Sequence, residues 1–218
     1  MKLTHLGHAC VLVDMADTRI LIDPGEFSDD FTAVRDLDAV LITHQHPDHY
    51  DKERLPDLMR ANPAARLICD PQTLEKIADL GLDATTHEAA GERIGQVEVT
   101  PVGTKHAQIH EDLPIVDNVG VRLAAAGEPV LYHPGDTLAE DPGQIDLLLF
   151  PLTAPWQKSA EMVTFLRRLA PRRAVPIHDA IVSAAGRGIY VGHARNLGPQ
   201  ETEVLDLLGA GEQVISRE

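Results

Sequence analysis

Two cysteines in 218 residues are too few for a disulfide framework. Cys10 and Cys69 each sit in an apolar run, Ala9-Cys10-Val11 and Leu67-Ile68-Cys69, and neither belongs to a C-x-x-C arrangement. Both read as buried free thiols. Basic residues are scarce as well: 19 Lys and Arg against 34 Asp and Glu give a formal net charge of -15. Arg167-Arg168 and Arg172-Arg173 are only short pairs. Such a surface repels nucleic-acid backbones and anionic membranes, so neither is expected as a partner. No apolar run approaches the ~20 residues of a membrane span, and Met1-Lys2-Leu3-Thr4-His5 lacks the apolar segment of a signal peptide. A cytoplasmic, reducing location is expected. Solenoid repeats and low-complexity stretches are missing. The 44% hydrophobic content is nevertheless enough for a substantial core, and residues 1-218 read as one domain.

What is plentiful is histidine, and its densest cluster follows the apolar run Ala39-Val40-Leu41-Ile42. That run reads as a buried strand. Directly after it, Thr43-His44-Gln45-His46-Pro47-Asp48-His49 places three histidines and an aspartate within six residues. Imidazole and carboxylate suit zinc, manganese and iron alike, and an ion with an open position activates water. In extended chain, His44 and His46 point to one side and can grip one ion. Pro47 then turns the chain and can bring Asp48 and His49 to a second.

The rest of the chain repeats the device of an apolar strand ending in polar residues. Leu3–Asp14 and Ile20–Ile22 read as two strands joined around Ala16-Asp17-Thr18. His8 reads as a hydrogen-bonded core histidine. Asp23 either lines the metal pocket or caps the turn before Pro24. Helices are expected over 51–62, with Leu55, Leu58 and Met59 on one face, and from Asp70-Pro71 to Gly81, burying Leu74, Ile77 and Ala78. Further strands are expected at Arg66–Cys69, Val97–Val102, Asn118–Leu123, Val130–His133, Leu147–Pro151 and Ala174–Ile177. Met162, Val163, Phe165, Leu166 and Leu169 mark another helix, and Thr202–Leu208 a last one. Ligand-type residues follow these strands at His44, His106, Asp136 and His178, as a cleft along the edges of two stacked sheets would demand. His133 precedes the Pro134-Gly135-Asp136 turn, where Gly135 permits a tight backbone. Trp156, the one tryptophan, either lines the pocket or plugs the edge of the core. His5, His87 and His193 have no motif around them and are read as non-ligands.

His44-x-His46-x-Asp48-His49 resembles the signature motif of the metallo-β-lactamase superfamily of metal-dependent hydrolases. Leu6-Gly7-His8, Ile22-Asp23-Pro24, Gly135-Asp136 and the strand ending at His178 resemble its other motifs, with the nearest likeness to small bacterial members of the branch containing an ascorbate-6-phosphate lactonase. The resemblance implies an α/β fold of four layers, an αββα sandwich of two mixed sheets flanked by helices. It implies two divalent metal ions, zinc first, with manganese or iron as alternatives. His44, His46 and His106 would bind the first, Asp48, His49 and His178 the second, and Asp136 would bridge them. His106 is preferred to His110 as third ligand because it lies nearer the strand end. Asp48 and His110 are candidate catalytic residues, the first orienting the hydroxide, the second orienting substrate or relaying protons. Lys105, His110 and Trp156 are candidate substrate contacts. The implied activity is metal-dependent hydrolysis of a small-molecule ester, lactone or phosphoester. A non-catalytic metal- or ligand-binding protein on the same fold is the alternative, and a nuclease a third, disfavoured by the acidity. Neither the substrate, the metal nor a homo-oligomeric state is fixed by the sequence.

Overall fold

A strand buried on both faces must be apolar at every position, because successive side chains point to opposite sides. Ala39-Val40-Leu41-Ile42 has that character, and so has Leu147-Leu148-Leu149-Phe150-Pro151. The computed structural model describes residues 1–217. Its first half runs β1 (Lys2–His5), β2 (Val11–Met15), β3 (Thr18–Ile22), β4 (Ala39–Ile42), α1 (Leu55–Ala61), β5 (Arg66–Cys69), α2 (Pro71–Ala78) and β6 (Ala84–Thr86). The second half runs β7 (Glu92–Ile94), β8 (Val97–Val102), β9 (Gly120–Ala124), β10 (Leu131–His133), β11 (Leu147–Pro151), α3 (Ser159–Leu169), β12 (Arg173–Ile177), α4 (Ala184–Leu197), β13 (Glu203–Val204) and β14 (Gln213–Val214).

The strands form two mixed seven-stranded sheets, ordered β14-β1-β2-β3-β4-β5-β6 and β13-β12-β11-β10-β9-β8-β7. Alternation along each strand divides the core into three. Val11, Val13, Ile20, Leu41 and Ile68 of the first sheet meet Val99, Val121, Leu147, Leu149 and Val175 of the second. The opposite face of the first sheet, with Leu12, Leu21, Val40 and Ile42, packs on Leu55 and Leu58 of α1 and Ile77 of α2. The opposite face of the second, with Tyr132, Leu148 and Phe150, packs on Met162, Phe165 and Leu166 of α3 and Val191 and Ala194 of α4. These layers are the αββα sandwich expected from the sequence. Among the described residues no helix is long and apolar enough to cross a membrane.

Local signals explain most element ends. Ala16 and Asp17 both take positive φ, 48° and 57°, in the two-residue hairpin that pairs Met15 with Thr18. Asp70 caps α2 by accepting from the backbone N–H of Gln72 and Thr73, with Pro71 opening the helix.

Three expectations require correction. Leu3–Asp14 is not one strand: Gly7 (φ 85°) and His8 (φ 52°) break it into β1 and β2 and turn the His8 ring out of the ladder. Ala78 is exposed, and the buried partner of Ile77 in α2 is Thr73. Thr202–Leu208 is not helical. Glu203 and Leu205 donate their N–H groups to Arg172 and Ala174, so this segment adds a short strand to the edge of β12. The helix instead lies at Ala184–Leu197, where Gly186, Gly188 and Gly192 depress intrinsic propensity and only Val191 and Ala194 are buried. Packing and a Ser183 cap override that weak signal.

Candidate metal centre

β4 delivers its polar loop to the rim of the sandwich, and the first residue there fixes the rest. Thr43 donates its N–H to Asp23 Oδ1 (2.7 Å) and its hydroxyl to Asp23 Oδ2 (2.8 Å). With its proton spent, the Thr43 oxygen accepts from His44 Nδ1 at 3.1 Å, which leaves His44 Nε2 bare. Asp23 Oδ2 also accepts from His49 Nδ1 at 2.7 Å. His178 Nδ1 donates to the Thr153 carbonyl at 2.8 Å, and His106 Nδ1 donates to the Ala107 carbonyl. In four rings, then, a donor bond at Nδ1 turns Nε2 toward the cleft, the orientation that ligand histidines require. Asp23, whose role the sequence left open, lies beneath the cleft and is fully buried.

The Nε2 atoms meet two carboxylates. Asp136 Oδ1 lies 3.1 Å from His49 Nε2, and its Oδ2 lies 3.3 Å from His106 Nε2 and 3.2 Å from His178 Nε2. Asp48 Oδ2 lies 3.4 Å from His178 Nε2, and His44 Nε2 lies 3.0 Å from His46 Nδ1. Ligands ~2.0–2.2 Å from a tetrahedral ion stand ~3.3–3.6 Å from one another, so the spacing is close to that of atoms around a shared cation. The candidate atoms fall into two groups, His44, His46, His106 and Asp136, and His8, Asp48, His49 and His178. His49 Nε2, His106 Nε2, His178 Nε2 and Asp136 Oδ1 are buried without a hydrogen-bond partner. Orphaned buried polar atoms are costly, and four converging on one cleft fit a cation that would satisfy them.

Charge supports the same fit. Burial opposes ionisation of Asp136, but His178 and His49 outweigh it and hold its carboxyl well below the usual range. Burial likewise resists ionisation of Asp48, but the neighbouring His178 and His8 rings hold its carboxyl low. His49 is pushed down by burial but held well above the ordinary imidazole value by Asp136 and Asp23. His178 is opposed by burial and raised by Asp136 to about 10. For His44, burial and then His49 keep the ring well below its ordinary value. The carboxylates thus draw positive charge onto His49 and His178, as they would draw a cation.

The second wall of the cleft is equally determined. Asn118 accepts from Asp136 N–H at 2.9 Å and donates to the Pro134 carbonyl at 2.9 Å, clamping the Pro134-Gly135-Asp136 turn. Gly135 takes φ 62°, and a Cβ there would stand 2.2 Å from Asn118 Oδ1. His133 accepts from Gly135 N–H and donates to the Ala9 carbonyl, supporting that turn from behind. Trp156 resolves toward the pocket: its Nε1–H donates to Asp136 Oδ2 at 3.1 Å, and its ring meets His106 edge-on.

The structure separates His106 from His110. A bridge between Lys105 and Asp117 closes the loop base, and Ala107 N–H bonds the Asp136 carbonyl, which presses His106 into the centre. His110 lies farther out, exposed, with Nδ1 accepting from Asp112 N–H, and belongs to neither group. This corrects its expected place in the pocket. Lys105 is engaged by Asp117 at 2.7 Å. His5, His87 and His193 stay outside both groups. His8, read as a core histidine, is the surprise: its Nε2 reaches Asp48 Oδ2 at 3.1 Å.

Two mixed sheets between helices, with histidines and aspartates gathered at the strand ends, define an αββα protein with a candidate metal centre. The chain belongs to the metallo-β-lactamase superfamily: the family model described as a beta-lactamase superfamily domain matches residues 2–178. It is 43% identical over 206 residues to Protein Rv0786c of Mycobacterium tuberculosis, covering 94% of this chain and 96% of that one. It is 27% identical to a UPF0173 metal-dependent hydrolase of Methylobacterium nodulans, covering 88% and 95%. Among solved structures, Igni18, a metallo hydrolase from the archaeon Ignicoccus hospitalis, superposes with a TM-score of 0.70 at 19% identity over 99% of both chains.

Proposed function

We propose that the chain is a hydrolase that holds two divalent cations and cleaves a small ester, lactone or phosphoester. His44, His46 and His106 would bind the first ion, Asp48, His49 and His178 the second, and Asp136 would reach both through its two oxygens. The observation that carries this reading is the set of four buried, unpartnered atoms on His49, His106, His178 and Asp136. The ions would supply an activated water at neutral pH and polarise the scissile carbonyl or phosphoryl group. Zinc, manganese and iron all suit these donors.

The chain's own residues define where a substrate sits. His106 and Trp156 border an open groove of ≈ 600 Å³, continued by Leu138, Ala160, Thr164 and Phe165. Arg168 on its edge lies over the Phe165 ring and donates to the Leu138 and Glu140 carbonyls. Lys105 is paired with Asp117. Both cationic groups of the groove are therefore engaged, which favours an uncharged substituent there, with the scissile bond at the metal centre. A larger cavity of ≈ 720 Å³, lined by Pro56, Arg60, Leu67 and Asp83, shares no residue with the centre and offers no such chemistry.

The test is turnover by zinc-, manganese- and iron-loaded protein of nitrophenyl esters, simple lactones and a nitrophenyl phosphodiester. Hydrolysis of one class, lost with metal in Asp136→Ala, is the expected result. Retained metal with no turnover of any class would favour the non-catalytic alternative.

A further inference from the structure

His8, Asp48, His49 and His178 gather four candidate ligand atoms within 4.8 Å of one another. Geometry alone would make His8 a third nitrogen ligand of the second ion. The hydrogen bonds around its ring point elsewhere. Ala180 N–H donates to His8 Nδ1 at 3.2 Å. A backbone amide can only donate, so Nδ1 must be bare, and the proton of the neutral ring sits on Nε2. That N–H faces Asp48 Oδ2 at 3.1 Å. His49 and His178 are turned the opposite way, each donating from Nδ1 and pointing Nε2 into the cleft.

We propose that His8 is a positioning residue, whose Nε2–H donates to Asp48 and fixes that carboxylate in the second group, and that it does not bind the ion. The inference rests on reading Asp48, His49 and His178 as a metal site. Asp48 needs such a donor: its side chain is 20% exposed, whereas those of His8, His49 and His178 are at most 2% exposed. Left alone, it could turn an oxygen to solvent. His8 is built to prevent this. Its carbonyl accepts from His178 N–H at 2.8 Å and from His5 Nε2 at 3.0 Å, so the β1–β2 turn is locked to the loop after β12. Its left-handed backbone at φ 52° is a conformation that surroundings of this kind must hold in place. Hydrogen-bonded partners behind a ligating carboxylate typically change metal affinity about 10–100-fold when removed.

The test compares His8→Ala and His8→Gln by zinc titration against a competing chelator, with circular dichroism to confirm folding. His8→Ala should weaken the second zinc about 10–100-fold and spare the first. His8→Gln, whose amide N–H can reach the same oxygen, should restore most of the affinity. No loss in His8→Ala, or equal loss in both variants, overturns the proposal. Proton–nitrogen NMR correlation of the wild-type imidazoles provides a reading that needs no variant. It should show the Nε2–H tautomer at His8 before and after zinc loading. An Nδ1–H tautomer in either state defeats this inference alone, whereas failure of the wild-type protein to take up zinc defeats the metal reading beneath it.

Discussion

Asp23 and His49 share a buried hydrogen bond of 2.7 Å, from the imidazole Nδ1 to a carboxylate oxygen that also receives the Thr43 hydroxyl. Both side chains are fully enclosed. One carboxylate thereby sets two rings, His49 directly and His44 through Thr43. Replacing it should disturb both groups of the centre. Asp23→Ala leaves the Thr43 and His49 donors without an acceptor, at a cost of about 1–3 kcal/mol for each group left unsatisfied. The expected outcome is a lower thermal midpoint and weaker binding of both ions. A variant with unchanged zinc affinity would show that Asp23 only caps its turn.

Metal uptake should release protons. With His178 raised to about 10 and His49 held well above its ordinary value, both rings are protonated in the metal-free protein at pH 7. A ligand nitrogen must lose its proton to the ion, so apparent affinity should rise with pH through neutrality and level off only near pH 10. Calorimetry of zinc binding in buffers of different ionisation enthalpy measures this directly. A binding enthalpy independent of buffer would contradict it.

Close approach of backbones makes Gly25 a structural requirement of the metal loop. A Cβ at this position would stand 1.8 Å from the Asp48 carbonyl oxygen and 2.5 Å from His49 N. Gly25→Ala must push the loop aside, with a destabilisation of about 1–3 kcal/mol as for other overpacked sites. The second ion should be lost before the first, because Asp48 and His49 are the residues displaced. Metal titration monitored alongside thermal melting checks both effects.

The two histidines of the loop after β8 should behave differently. His106→Ala removes a buried Nε2 from the first group, whereas His110→Ala alters an exposed ring that bonds only its own loop. Metal content should fall in the first variant and stay unchanged in the second. Equal loss in both would return His110 to the centre.

The fold and the gathering of His44, His46, Asp48, His49, His106, Asp136 and His178 were legible because each residue follows an apolar strand, and strand ends on one rim of a sandwich must meet. Asp23, Thr43 and His8 were not legible in the same way. Their roles lie in which nitrogen they leave bare, and that is set by partners as distant in sequence as Ala180 is from His8. Helix α4 was hidden by its glycines, and β13 by a helix-like spacing of Val204, Leu205, Leu207 and Leu208 that the exposed edge of β12 overrode. Distance from the strand end favoured His106 over His110 as the third ligand, and the pinned loop base agrees by pressing His106, not His110, into the first group.

Elemental analysis of purified, unchelated protein tests the central claim most directly. The two groups of ligand atoms predict two equivalents of divalent metal per chain, falling in Asp136→Ala because its oxygens face both groups. No bound metal, even after incubation with zinc, manganese or iron, would contradict the account.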